Sequence, residues 1–202
     1  DERELLKTQL RALMRAAVHG DVGIMLPLIV SVDEVREARS LLAEAARELA
    51  ERGVTHRDDV PLGIMIETPA AVLTADTLAR EVAFFSIGTN DLVQYTLAVD
   101  RGNARLATRF TPLHPGVLRL IDRALQAGRD QGLDVSVCGE MASEPLMAFA
   151  LIGLGLRTLS VAPRSVARVK QIVRGIHVRV AEEAAREALA AGTAHAAEEI
   201  LR

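Results

Sequence analysis

Aromatic residues are nearly missing from this chain: one tyrosine, four phenylalanines and no tryptophan in 202 residues. That leaves little for base stacking, and a formal net charge of −3 provides no electrostatic footprint for nucleic acid or an anionic membrane. Neither partner is expected. Cysteine is scarcer still. Cys138 stands alone, which excludes an intrachain disulfide and fits a reducing cytoplasm. No apolar run is long enough to span a bilayer, and none reads as a signal peptide. The histidines, His19, His56, His114, His177 and His195, show no close metal-ligand spacing, so no zinc site is expected.

What is present is a chain that is 50% hydrophobic and 25% charged, long enough to bury a core as one domain over residues 1–202. Residues 2–18 carry an apolar stripe of helical period (Leu5, Leu6, Leu10, Leu13, Met14, Ala17), with Gly20 placed to close the helix as a C′ residue. Residues 22–30 are too apolar for a half-exposed strand and read as a strand buried on both faces. Ser31 and Glu34 form a capping-box signature for a helix ending near Gly53. A second strand over residues 61–66 delivers Glu67, and Pro69 suits the first turn of a helix running to about residue 81.

A third strand over residues 82–87 ends at Gly88 in a turn bearing Thr89, Asn90 and Asp91, followed by a helix and an Arg-, Gly- and Pro-rich loop. Pro115 opens another amphipathic helix. The fourth strand, residues 134–137, delivers Cys138-Gly139-Glu140, and the fifth covers residues 158–161. Helices complete the chain, the last of them one or two Ala/Glu-rich surface helices over residues 178–202. Near-continuous apolar strands alternating with helices predict parallel βαβ units. Polar groups on three consecutive strand ends point to a (β/α)8 TIM-type barrel, because a doubly wound sheet gathers them at one switch point. Five βα units against the eight of a closed barrel make it incomplete, corresponding to strands four to eight. The open first edge is expected to expose Ile24, Leu26 and Leu28.

Glu67 and Asp91 on neighbouring strand ends, with Asn90 beside them, form a hard-oxygen set suited to magnesium. Glu67 and Asp91 also read as helix caps, and both readings stand on these residues alone. Arg101, between Asp100 and Gly102, is placed to clamp a carboxylate or phosphate. Cys138 reads as a buried structural cysteine, a nucleophile or a proton donor; with no histidine near it in sequence to activate it, the donor role is preferred.

Three motifs carry a resemblance: Ile66-Glu67-Thr68-Pro69-Ala70-Ala71, the run from Ser86 to Asn103 through Gly88-Thr89-Asn90-Asp91-Leu92, and Cys138-Gly139-Glu140. They resemble the phosphoenolpyruvate-utilising enzymes, and Tyr95 to Asn103 looks specifically like the enzyme I branch of the bacterial sugar phosphotransferase system. Pyruvate phosphate dikinase and phosphoenolpyruvate synthase share the shorter motifs. The resemblance implies that Glu67 and Asp91 hold Mg2+, and that Asn90, Asp91 and Arg101 contact phosphoenolpyruvate. It implies that Cys138 protonates the enolate to give pyruvate after the phosphoryl group has passed to a histidine. It further implies a homodimer, a phosphohistidine domain elsewhere in the parent, and through it the phosphocarrier HPr. The chain lacks that domain and the phosphate-gripping arginines of early barrel strands. A non-catalytic dimerisation module of the same parent and a carbon–carbon lyase of the wider barrel superfamily are the alternative readings.

Overall fold

The computed structural model describes residues 2–202. Five strands, β1 (Ile24–Leu26), β2 (Leu62–Ile66), β3 (Phe84–Gly88), β4 (Asp134–Cys138) and β5 (Thr158–Leu159), form one sheet in the order β1-β2-β3-β4-β5. Every pairing is parallel. Strands that stand in sequence order without reversal follow the order of a (β/α) barrel rather than of a doubly wound sheet, so the chain forms an open, five-stranded arc of that architecture.

Register sorts the side chains into two faces. Ile24, Leu26, Ile64, Ile66, Phe85, Ile87 and Val137 share the face packed beneath helices, and all are buried. Helix α6 (Pro115–Asp130) lies so close to this face that a side chain on Gly128 would overlap Val135. The opposite face carries Met25, Gly63, Met65, Phe84, Ser86, Ser136 and Cys138. There the Phe84 ring lies over Gly23 and Gly63. A cavity of about 630 Å³ opens beside it, lined by Asp21, Arg57, Asp134, Ser136 and Thr158 among others.

The first strand is shorter than its apolar run predicts. β1 stops at Leu26, and Leu28 adopts a left-handed φ of 54°. Ile24 and Leu26 are not exposed at the edge: they point into the helix-covered core, while Met25 is 39% and Leu28 52% exposed. Alternation along the strand, not the strand's place at the edge, decides which side chains meet water.

Helix α1 (Glu2–Ala16) ends in a 3-10 turn, and Gly20 is extended at φ 174° rather than a left-handed cap. The predicted capping box at Ser31 and Glu34 opens α2 (Val32–Glu51). The single helix expected after Pro69 is instead two short ones, α3 (Pro69–Leu73) and α4 (Ala75–Leu78), parted at Thr74, whose hydroxyl donates to the Ala70 carbonyl at 2.9 Å. The C-terminal third holds α7 (Pro145–Gly153), α8 (Val166–Gly175), α9 (Val178–Ala190) and α10 (Ala194–Leu201). α9 is more than a surface helix. It buries Ala181, Ala185 and Ala188, and its backbone at Ala181 comes close enough to Gly153 to exclude any side chain there. No helix among the described residues is long and apolar enough to cross a membrane.

Candidate functional site

Parallel strands present their C-terminal ends on one side, and helix N-termini follow them there. Glu67 leaves the end of β2 and is only 3% exposed. It does not cap the next helix. Thr68 does so, its hydroxyl oxygen accepting from the Ala71 N–H at 3.1 Å while its O–H donates to the Ile29 carbonyl at 2.9 Å. Glu67 instead reaches across to the end of β1, where Oε1 accepts the Leu28 N–H at 2.7 Å. The left-handed conformation of Leu28 accompanies this bond.

The other oxygen of Glu67 faces Gly88, where a Cβ would fall 2.6 Å from Oε2 and 2.8 Å from Met65 Sδ. Only glycine leaves the carboxylate this room. Gly88 is the N-cap of α5 (Thr89–Leu97), so Thr89, Asn90 and Asp91 occupy the helix's first turn rather than a separate turn before it. Asp91 lies in that first turn, near enough for its charge to act on Glu67. Burial, first, lifts the Glu67 carboxyl above its ordinary range; the Leu28 N–H opposes this, and the charge and hydrogen bonding of Asp91 add to it.

This donor set fits a divalent cation. No group of three or more His, Cys, Asp and Glu side chains clusters into a ligand cage among the described residues. Two carboxylates on neighbouring strand ends match the habit of magnesium, which takes few protein carboxylates, rather than that of zinc, which favours nitrogen and sulfur.

Cys138 ends β4, in register with Gly88 of β3. Its Sγ accepts from the Ser86 hydroxyl at 3.5 Å and donates to the Ile87 carbonyl at 3.6 Å. The Thr89 hydroxyl donates to the Cys138 carbonyl at 3.1 Å, and the Glu140 N–H donates to Asn90 Oδ1 at 3.3 Å. Gly139 makes the turn between them at φ 106°, so close to Thr89 Oγ1 that a side chain would collide. Glu67, Asn90, Asp91 and Cys138 are thus linked through β3 and the start of α5. Arg101 is not brought into this group. Its backbone N–H donates to Gln94 Oε1 at 3.2 Å, and its guanidinium has no hydrogen bond or ion pair among the described residues.

Sequence reasoning missed Leu28, Gly88 and Ser86. Leu28 contributes only a backbone N–H, which no residue type signals. Gly88 and Ser86 lay inside the quoted motif, and the period-2 alternation that puts Ser86 on the Cys138 face was available to find it.

A family description, "PEP-utilising enzyme, PEP-binding domain", matches residues 1–178. A protein of Haemophilus influenzae named phosphoenolpyruvate-protein phosphotransferase is 42% identical over 194 residues, covering 96% of this chain and 34% of its own length. The protein of that name from Mycoplasma pneumoniae is 41% identical over 201 residues, 100% of this chain and 34% of the relative. The one from Cupriavidus necator is 44% identical over 176 residues, 87% and 30%. This chain spans about a third of the length of the curated relatives it matches. Among solved structures, a citrate lyase from Burkholderia xenovorans LB400 superposes with a TM-score of 0.60 at 22% identity, covering 91% of this chain and 58% of that one, a likeness of fold alone.

Proposed function

The chain belongs to the phosphoenolpyruvate-utilising enzymes, and on that premise we propose that it is the phosphoenolpyruvate- and magnesium-binding part of a phosphoenolpyruvate–protein phosphotransferase. In that reading the phosphoryl group of phosphoenolpyruvate passes to a histidine on another domain, from there to HPr, and pyruvate is released. A cytoplasmic homodimer is the parent state this reading carries. The observation that supports it most is buried Glu67 lying against Gly88, the N-cap of the helix whose first turn bears Asp91, with Cys138 directly in register with Gly88 on the next strand.

Glu67 and Asp91 would hold the magnesium ion, with Glu67 kept in place by the Leu28 N–H. A cation bound there supplies positive charge to phosphate oxygens and to the forming enolate. The Asn90 carbonyl oxygen is occupied by Glu140, which turns its amide N–H groups to substrate as donors. Arg101, without an ion pair on its loop, is free to take the substrate carboxylate or phosphate bidentately. Loss of the phosphoryl group leaves the enolate of pyruvate, and the Cys138 S–H gives its proton to C3. The Ser86 hydroxyl then donates to the sulfur that remains, steadying the thiolate until solvent restores the proton.

Titration calorimetry of the chain with phosphoenolpyruvate tests the reading. Binding that needs magnesium and disappears in Asp91→Ala is expected; binding indifferent to both overturns it. In the full-length parent, Cys138→Ala is expected to stop pyruvate formation while leaving phosphoryl exchange with the histidine measurable. Phosphate found on Cys138, or unchanged turnover, overturns the donor role. A chain that never binds the substrate yet drives dimerisation of the parent would favour the assembly-module reading instead.

A further inference from the structure

Asn90, Asp91 and Gln94 stand at i, i+1 and i+4 in α5, so Gln94 lies one turn along from both site residues and on their side of the helix. Just beyond Leu97 the helix ends in a tight reversal. Ala98 is left-handed, at φ 51° and ψ 45°, and the N–H of buried Val99 returns to the Gln94 carbonyl at 3.0 Å. That is the closing bond of a Schellman turn, in which an apolar side chain often stands where Gln94 does. Gln94 carries a polar side chain there instead, and its Oε1 accepts the Arg101 N–H at 3.2 Å.

The main chain and the side chain of one residue therefore both hold the loop that follows α5. The carbonyl bond alone closes the helix; the side-chain bond is no part of that closure and serves the loop. Arg101 is 7 residues on from Gln94, and an extended segment of that length reaches about 23 Å. The bond keeps the Arg101 backbone against the helix instead. The next amides are held as well: the Gly102 N–H donates to Asp100 Oδ1 at 2.8 Å, and the Asn103 N–H to the Asp100 carbonyl at 3.1 Å. An alanine takes left-handed backbone only where its surroundings impose it, so the reversal at Ala98 is held in place by these contacts. All of them are internal to residues 90–103.

A fixed backbone beneath a guanidinium with no partner of its own suits a substrate clamp. The loop is ordered before the ligand arrives, and only the arginine side chain has to settle on it. We infer that Gln94 is a positioning residue: it ties Arg101 to the helix whose first turn bears Asn90 and Asp91, so that the three groups keep one spacing when phosphoenolpyruvate binds. The inference rests on the reading that Arg101 contacts that substrate. Gln94 itself touches neither substrate nor metal in this role and acts through Arg101 alone.

The test is a double-mutant cycle in the full-length parent, read by steady-state kinetics with phosphoenolpyruvate, beside amide hydrogen exchange of this chain. Gln94→Met keeps the length of the side chain and loses the acceptor. It is expected to raise KM about fivefold with kcat kept within about twofold, since the clamp holds bound substrate throughout. Gln94→Ala, a change to the best helix former, is expected to match it. In an Arg101→Ala background, either change should move KM by less than about twofold, because nothing is left to position. Exchange at the Arg101 amide should quicken severalfold in Gln94→Met and stay slow in Gln94→Glu, which keeps an acceptor oxygen. If Arg101→Ala alone leaves KM unchanged, the contact of Arg101 with substrate falls and this inference with it. If Arg101→Ala raises KM but the Gln94 changes do not, only this inference falls. A Gln94 effect that persists in full without Arg101, or an Arg101 amide indifferent to Gln94→Met, also overturns it.

Discussion

Replacing Gly88 with alanine places a methyl group 2.6 Å from Glu67 Oε2 and 2.8 Å from both Glu67 Cβ and Met65 Sδ. Gly88 has a φ of −86°, open to an L-residue, so the perturbation is steric rather than conformational. The chain has two ways to accommodate it. It can strain the packing around Met65 and Glu67, at about 1–3 kcal/mol. Alternatively it can swing the Glu67 carboxylate away, giving up the Leu28 N–H bond, a charge-assisted contact worth about 1.5–3 kcal/mol. Either route costs about 2 kcal/mol. With a urea slope of about 2 kcal/mol per M, the unfolding midpoint should fall by about 1 M. The second route also dismantles the carboxylate pair, so manganese should no longer broaden NMR signals near Asp91. A double-mutant cycle with Glu67→Ala isolates the clash: the Gly88→Ala cost should shrink by about 1 kcal/mol or more once the carboxylate is gone. An unchanged midpoint with unchanged manganese broadening would refute the packing argument and the site built on it.

Glu67 titrates above its ordinary value of 4.5, so it supports the metal-free fold below that value, and the support is lost as pH rises through its folded-state pKa. Urea midpoints of the metal-free chain should therefore fall as pH rises from about 4.5, and Asp91→Asn should reduce the fall; an equal fall in both would remove Asp91 as a cause. Arg119 donates from Nε to the Leu189 carbonyl at 2.8 Å and from its other arm to Ala191 at 3.2 Å, closing the C-terminal end of α9. Arg119→Ala should cost about 1–2 kcal/mol and raise hydrogen exchange in α9 and α10 while leaving β3 protected; uniform exchange would contradict it. Ser86→Ala removes the hydroxyl that faces Cys138, and alkylation of the thiol by iodoacetamide should slow severalfold; an unaltered rate would show that the hydroxyl does not act on the sulfur.

The strand order was readable because each apolar run is followed by a helical one, and chemistry-bearing groups recur at consecutive strand ends. The placement of Glu67, Asn90, Asp91 and Cys138 at strand ends was readable for the same reason. What escaped was set by tertiary contact. The run at residues 22–30 looks like one long strand, yet it is broken where the Leu28 N–H turns to a carboxylate 39 residues away. The helix after Pro69 parts where a threonine hydroxyl takes a backbone carbonyl, a local competition that periodicity does not register. Surface helix α9 looked solvated because alanine and glutamate dominate it, but alanine is the residue that permits its contact at Gly153.

The order β1-β2-β3-β4-β5 also bears on how the chain is made. Each strand from β2 to β5 pairs with the one synthesised just before it, so each of these units finds its neighbour already in place. Glu67 can take the Leu28 N–H as soon as β2 joins β1. The like charge of Asp91 arrives only with β3 and α5. Cys138 arrives later still, onto a finished wall. The strained, charge-crowded part of the molecule is therefore assembled onto a scaffold whose favourable contacts are already made, and a stalled chain exposes apolar surface before it exposes the carboxylate pair.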